Sequence, residues 1–341
     1  MIVGLQASAA LAALVEPLRA DSPIAVLEDA ERTLKSVLQR ELAAPLDGAG
    51  IRELASLQQR LGFLLKYKSY AVKAASPLGY SVFLQQPGEG FSFQQHVVHK
   101  TEMFYFLDVP AGGFVFLCDF DEWQRIYDRR AFLAWMGGQP DDRYERWRFV
   151  PQPGDVIVID KLNMVHSVIG CTLAEFATVS TDMVDRLHDQ NEGRAIPPGF
   201  TRPLSEERLR RLPWPDVSHR VTIGEAGRSR SVIPSQRVAG GIRTVLDDGI
   251  VTAATYRFDP GAVSERSVDS TRATSLHVVH GSGRLVLGDA AEVQRASPPT
   301  LAARAGDLFF VAPGACWGFI NDGHAPVTLA EHKIPVDIAF V

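Results

Sequence analysis

Short runs of aromatic and β-branched residues fill two long stretches of this chain, from about residue 67 to 185 and from 221 to the end. Typical runs are FSFQQHVV, EMFYFLDV and DVIVID in the first stretch, and SLHVVHG, GRLVLGD and GDLFFVA in the second. Runs of this composition, separated by glycine and proline turns, are typical of β-strands. Two strand-rich stretches of similar composition predict a duplicated β domain.

Two other segments do not have this strand-like composition. Residues 1–66 are rich in Ala, Leu, Glu and Arg, and their apolar positions recur at three- and four-residue intervals, which predicts helices, one of them over about 51–65. Residues 186–220 are rich in proline and arginine and read as a linker. The predicted organisation is a helical segment (1–66), a first β domain (67–185), the linker (186–220) and a second β domain (221–341).

Composition limits the partners. The 341 residues carry 35 basic and 40 acidic side chains, a formal charge of −5, which disfavours nucleic acid as a partner. No apolar stretch reaches the roughly 18 residues of a membrane span. Cys118, Cys171 and Cys316 are widely spaced and odd in number, which argues against a disulfide framework. We therefore expect a cytoplasmic protein that acts on a small molecule, without a nucleic-acid or membrane partner.

Each β stretch carries the same two-part pattern. In the first, Glu102 begins an aromatic strand, and Gly154-Asp155 later opens an apolar strand that leads to His166. In the second, Thr274 takes the place of the glutamate, and Gly306-Asp307 opens the later strand. This pattern resembles the cupin superfamily, and its duplication resembles a bicupin. The resemblance implies a mainly β fold of two jelly-roll barrels, preceded here by the N-terminal α-helical segment.

The resemblance also implies a metal site in the first barrel. The family pattern is Gly, five residues, His-x-His, three or four residues, and Glu, and Gly90, His96 and Glu102 stand at these spacings. The second histidine of the pattern would be residue 98, which is valine, whereas His99 stands one place later. Residues 96 and 99 of a regular strand point to opposite faces, so both reach one metal only across a bulge or turn.

The last ligand of the pattern is His166, twelve rather than eleven residues after Gly154. The implied metal set is therefore His96, His99, Glu102 and His166. In the second copy Trp317 takes the place of the last histidine and Thr274 that of the glutamate. That copy therefore keeps the Gly-Asp turn of the family but loses the implied metal ligands. The tetrapeptide His96-Val-Val-His99 recurs as His277-Val-Val-His280. When the two halves are aligned, the second tetrapeptide lies one strand later than the first, so its histidines are interpreted as structural.

Imidazoles and one carboxylate hold a divalent transition metal, and fewer than six protein ligands leave positions for dioxygen or substrate. We favour Fe(II), with Mn, Co, Ni, Cu and Zn as alternatives. The favoured function is an oxygenase that attacks a small oxygenated substrate, with Glu102 and the other metal ligands as the catalytic group. A rival hypothesis is a metal-dependent sugar isomerase or epimerase, because Glu175-x-x-Thr178-x-Ser180 resembles the closing strand of sugar-handling cupins. In that case Glu175 is the catalytic carboxylate that moves the proton. A third alternative is a binding barrel without turnover.

Four further residues are candidate substrate contacts: Thr178, Ser180, Tyr105 and Trp123. Trp123 lies in an insertion over 118–148, since 64 residues separate Glu102 from His166 but only 43 separate Thr274 from Trp317. This insertion is a candidate lid over the barrel mouth. The alternatives are packing against the other barrel or against a second subunit of a homodimer.

Overall fold

A computed structural model describes residues 24–41, 46–61, 64–68, 71–76, 78–98, 100–159, 163–179, 183–187, 209–224 and 227–336. Two helices open the described chain, three follow strand β6 and one lies in the second half. They are α1 (Ile24–Glu41), α2 (Gly48–Leu61), α3 (Phe120–Ile126), α4 (Arg129–Met136), α5 (Asp142–Glu145) and α6 (Ala290–Val293). None of the described helices is long and apolar enough to cross a membrane.

Strands make up most of the remaining described chain. Those before residue 234 are β1 (Leu64–Lys68), β2 (Ala71–Ala75), β3 (Tyr80–Leu84), β4 (Gln94–His96), β5 (Glu102–Asp108), β6 (Phe114–Asp119), β7 (Arg148–Phe149), β8 (Asp155–Ile159), β9 (Met164–Ile169), β10 (Thr172–Ala177), β11 (Met183–Asp185), β12 (Ser218–Gly224) and β13 (Gly227–Ile233). Those after it are β14 (Ser235–Val238), β15 (Gly241–Asp247), β16 (Thr252–Phe258), β17 (Ser267–Val268), β18 (Arg272–His280), β19 (Ser282–Gly288), β20 (Thr300–Arg304), β21 (Leu308–Val311), β22 (Cys316–Ile320) and β23 (Val327–Pro335).

These strands form four sheets, and the sheets repeat one topology. The order β1-β2-β3-β10-β5-β8 in the first half matches β14-β15-β16-β23-β18-β21 in the second. The smaller sheets match likewise, with β4-β9-β6-β7 corresponding to β17-β22-β19-β20. In each half a larger and a smaller sheet face each other as a barrel, so the predicted duplication is confirmed.

The repeated Gly-Asp pair builds the same turn in both barrels. Gly154 and Gly306 each have a φ of +92°, a left-handed conformation that glycine adopts without strain. The carboxylate that follows accepts a bond from the backbone N–H three residues earlier, Gln152 to Asp155 at 2.8 Å and Arg304 to Asp307 at 3.0 Å. The motif therefore fixes the entry of β8 and β21.

The interior of the first barrel lies between the larger and smaller sheets. Phe104 and Phe106 of β5 share one buried cluster with Val115 and Leu117 of β6. Alternate residues of a strand point to opposite faces, so Glu102 shares the inner face of β5 with these phenylalanines. The outer face of the same sheet packs against the second barrel.

Contacts between the barrels are both apolar and polar. Tyr80 of β3 places its hydroxyl 2.8 Å from Nδ1 of His277, and the Ser76 and Ser275 hydroxyls lie 3.0 Å apart. The ring of His332 lies 6.3 Å from that of Tyr80. His277 and His332 therefore belong to the interface between the barrels.

Helix α2 packs on the second barrel. Arg52 forms an ion pair of 2.6 Å with Glu292, and the Gln59 amide donates to Asp307 at 2.8 Å. The apolar face of the helix, including Leu54 and Leu57, joins the core of that barrel. The helical segment thus folds back over the half that is more distant in sequence.

The predicted domain boundary at residue 221 falls inside strand β12, and the whole β12–β13 hairpin belongs to the first barrel. Strand β12 pairs in parallel with β8, with Val221 opposite Ile157, so the hairpin extends the larger sheet of the first barrel. The second barrel begins with β14. Local composition did not reveal this difference because a strand's pattern is the same whichever sheet it joins.

Candidate metal site

Strands β4, β5 and β9 bring three metal-binding side chains together. His96 is the last residue of β4, Glu102 is the first of β5, and His166 lies within β9. Strands β4 and β9 belong to the smaller sheet and β5 to the larger one. The three side chains therefore meet across the interior of the first barrel.

The spacing of these side chains fits a divalent metal. Their candidate ligand atoms all lie within 4.8 Å of one another. Oε2 of Glu102 is 3.0 Å from Nε2 of His166 and 3.4 Å from Nε2 of His96. Two ligands at about 2.1 Å from one ion, at right angles, lie about 3.0 Å apart. Both ring nitrogens of His96 and Oε2 of Glu102 are buried without a hydrogen-bond partner among the described residues.

The surroundings of His166 determine which of its two ring nitrogens can coordinate a metal. Its Nδ1 lies 3.2 Å from the carbonyl oxygen of Met164. Because a carbonyl oxygen only accepts hydrogen bonds, Nδ1 carries the proton and Nε2 keeps its lone pair. Histidine ligands of metals usually donate their other ring N–H to a carbonyl or carboxylate oxygen in this way.

The two carboxylate oxygens of Glu102 face different partners, Lys100 on one side and the two histidines on the other. Its ammonium lies 2.5 Å from Oε1 of Glu102 and 3.3 Å from Oε1 of Glu175. The imidazoles face the other oxygen, Oε2. Lys100 thus orients the Glu102 carboxylate so that one oxygen is directed at the two histidines.

These contacts set the ionisation of the group. Burial raises the pKa of Glu102, but Lys100 and His166 outweigh burial and hold this pKa well below its usual range. Burial lowers the pKa of Lys100, but Glu102 and Glu175 together raise it above its usual value. Glu102 is therefore a carboxylate and Lys100 an ammonium at neutral pH.

Sequence reasoning missed Gln94. It lies two residues before His96, so both side chains point to the inner face of β4. Gln94 is directly opposite His166 in the sheet, and its amide nitrogen is 3.0 Å from Nε2 of that histidine. Gln94-x-His96 thus occupies the inner face, whereas the family spacing predicts a pair at 96 and 98. The period of two, counted backwards from His96, was the available signal.

Aromatic rings surround one side of the three ligands. The ring centroids of Phe91 and Phe104 lie 6.4 Å and 6.0 Å from that of His166. Both phenylalanines belong to the buried interior cluster. This side of the site is therefore apolar, and the charged side chains Lys100 and Glu175 are on another.

Of the other predicted site residues, Glu175 lies next to the three ligands, because Lys100 contacts both Glu175 and Glu102. The Thr178 hydroxyl accepts a bond of 3.2 Å from the backbone N–H of Thr101, which ties the segment before Glu102 to the end of β10. His99 and Ser180 lie outside the described residues.

Two predicted substrate contacts are not brought to the site. Tyr105 is on the outer face of β5, where its hydroxyl lies 3.2 Å from the carbonyl oxygen of Pro215. Trp123 lies in an aromatic cluster on the outer face of the smaller sheet, with Phe93, Phe132 and other rings. The insertion over 118–148, which forms α3, α4 and α5, packs there against the barrel wall.

In the second barrel other residues occupy the corresponding positions. Thr274 of β18 lies opposite Val311 as Glu102 lies opposite Ile159. Trp317 lies opposite Leu287 as His166 lies opposite Leu117. Among the described residues, His96, Glu102 and His166 form the only such group of potential metal ligands.

The sheet orders and the repeated Gly-Asp turns give this chain the two-barrel cupin fold, known as the bicupin fold. No protein-family model matches the sequence, and no curated protein matches it. Among solved structures, oxalate decarboxylase from Bacillus subtilis is 14% identical, with 80% of this chain and 74% of that chain covered at a TM-score of 0.49. AerE from Microcystis aeruginosa is 7% identical, with 77% and 91% covered at a TM-score of 0.41.

Proposed function

We propose that this protein is an Fe(II)-dependent oxygenase that converts a small oxygenated substrate inside the first barrel. The observation that carries the proposal is the ligand set itself, two imidazoles and one carboxylate with Val98 in place of a further histidine. Two histidines and one carboxylate with open positions are typical of non-haem iron oxygenases. Bound there, Fe(II) supplies the electron transfer to dioxygen that protein side chains lack.

The chain's own residues hold and orient this ligand set. His96 and His166 offer their Nε2 atoms, and Glu102 offers Oε2 while Lys100 contacts its Oε1. Lys100 and Glu175 also place a cation and a carboxylate beside the ligands. A substrate with a carboxylate or hydroxyl group would be oriented by this pair, and Phe91 and Phe104 would exclude water from the opposite side.

A second candidate, a metal-dependent isomerase or epimerase, is favoured by one contact. Glu175 is 5% exposed, and its Oε1 lies 3.3 Å from the ammonium of Lys100, which also contacts Glu102. A second carboxylate so placed is suited to removing a proton from a carbon next to a metal-bound carbonyl group. This chemistry needs no dioxygen.

Metal analysis tests the site. We expect about one iron per chain after anaerobic loading with Fe(II), and less than a tenth of that in His166→Ala. The matched control is His280→Ala, which removes a partly exposed histidine of the second barrel. Equal iron in His166→Ala and in the unaltered protein would contradict the proposed site.

Reaction with oxygen separates the two candidates. Nitric oxide, an analogue of dioxygen, should bind the iron-loaded protein and give a half-integer-spin EPR signal that His166→Ala lacks. Hydroxy acids and sugars are then screened with an oxygen electrode and again without oxygen. Substrate-dependent oxygen uptake supports the oxygenase. Turnover that is unchanged without oxygen and lost in Glu175→Gln supports the isomerase.

A further inference from the structure

The second barrel contains a buried charged group at the position that corresponds to the metal site. Glu331 of β23 lies opposite Leu276, two residues after Thr274, as Glu175 lies opposite Phe104, two residues after Glu102. Glu331 is fully buried, and its Oε1 is 3.0 Å from the ammonium of Lys333. Each barrel therefore holds a glutamate at the same position of its closing strand, beside a lysine.

This group lies inside the barrel. The Tyr256 hydroxyl donates to Oε2 of Glu331 at 2.9 Å, and the Tyr256 ring contacts Trp317 of the smaller sheet at 5.9 Å. Lys333 is two residues from Glu331 on the same strand and shares its face. A guanidinium nitrogen of Arg243 lies 3.7 Å from Oε2 of Glu331, and the guanidinium carbon lies over the Tyr256 ring, 5.2 Å from its centroid.

The two barrels differ in the sign of the charge that they enclose. In the first, the contacting group of Lys100, Glu102 and Glu175 sums to −1, which suits a metal cation. In the second, Lys333 and Arg243 face the single carboxylate Glu331, which leaves a charge of +1. An uncompensated buried charge is costly, so this excess favours an anion as a partner.

Donors are also left over in the second barrel. Lys333 has three N–H donors and is 6% exposed, and Glu331 is its one ion-pair partner among the described residues. Nε of Arg243 is buried without a hydrogen-bond partner in the part of the chain that the structure describes. Arg243 itself is 29% exposed, so the group has a side open to solvent.

We propose that the second barrel binds a small organic carboxylate between Lys333 and Arg243, without a metal. The planar guanidinium matches the two oxygens of a carboxylate. The apolar part of such a ligand would lie toward the aromatic interior formed by Tyr256 and Trp317. This site is independent of the metal in the first barrel.

Thermal unfolding of the full chain tests the proposal, with acetate as the probe and acetamide as its uncharged analogue. Acetate replaces chloride at constant ionic strength, up to about 100 mM, where a ligand of millimolar affinity saturates its site. We expect acetate to raise Tm by several degrees in the unaltered protein and equally in His166→Ala, with no rise from acetamide. No acetate effect, or an effect that His166→Ala abolishes, would overturn the proposal.

Two variants locate the site. Arg243→Gln alters a partly exposed residue outside the apolar core, and it should raise the acetate concentration for the half-maximal shift at least about tenfold. Lys333→Met should abolish the shift if that variant folds, and Arg243→Gln decides the question if it does not. An unchanged acetate dependence in Arg243→Gln would also overturn the proposal.

Discussion

Gln94 lies directly across the smaller sheet of the first barrel from His166, with its amide nitrogen 3.0 Å from the histidine nitrogen that faces Glu102. The pair sits on the inner face, where β4 and β9 meet. Without metal, the amide N–H donates to the lone pair through which His166 would coordinate. Once a metal occupies that lone pair, the Gln94 amide is placed to turn its oxygen toward the same ion.

Replacing Gln94 should therefore weaken metal binding. In Gln94→Ala we expect about a tenfold loss in affinity for a divalent metal, the size typical of residues that support a ligand. Chelator competition measures this change. The matched control is Gln95→Ala, because Gln95 points to the outer face and bonds Asn163 at 2.8 Å. Equal affinities in the two variants would contradict the assignment.

Lys100 stabilises the metal-free protein by neutralising Glu102. In Lys100→Met the carboxylate is left buried without this partner, so the free energy of unfolding of the metal-free protein should fall by about 3 kcal/mol. Urea unfolding of the metal-free protein measures this change, and Lys100→Arg, which keeps the charge, is the control. An unchanged free energy of unfolding in Lys100→Met would refute this role.

Asn321 closes the loop between β22 and β23 in the second barrel. It is fully buried, and its amide donates to the carbonyl oxygens of Asp259 at 3.0 Å and Ala325 at 2.9 Å. Asn321→Ala should lower the free energy of unfolding by about 3 kcal/mol, because several buried backbone groups lose their partner. The exposed neighbouring variant Asp322→Ala should change it by less than about 1 kcal/mol. Metal content should not change in either variant.

The interface between the barrels should be sensitive to acid. Burial lowers the pKa of His277 and of His332 to about 3, from the ordinary histidine value of 6.5. Between these pH values the unfolded chain binds protons that the folded chain excludes, so stability falls as the pH is lowered. The expected loss is about 1.4 kcal/mol per pH unit for each histidine.

Urea unfolding at pH 7 and pH 5 measures this loss. His332→Gln removes one of the two titrating groups and should give a shallower decline than the unaltered protein. His324→Gln, at an exposed position of the same barrel, is the control and should leave the slope unchanged. Equal slopes in all three proteins would show that the buried histidines do not cause the acid sensitivity.

The sequence by itself determined the strand-rich halves, their duplication and the helices before them, because these depend on local periodicity and on turn residues. It also indicated His96, Glu102 and His166 through spacing along the chain. Helix α2 spans Gly48–Leu61, where a helix over about 51–65 was expected. Local patterns suffice for such features since each strand or turn is specified within a few residues.

Only the tertiary structure decided which side chains share an interior. Gln94 joins the site through a partner 72 positions later, and Lys100 brings Glu175 to it from another strand. The outward position of Trp123 and the pairing of the β12–β13 hairpin with the first barrel are decided in the same way. The reason is physical: alternation along a strand defines two faces, but the neighbouring strands determine which face becomes the interior.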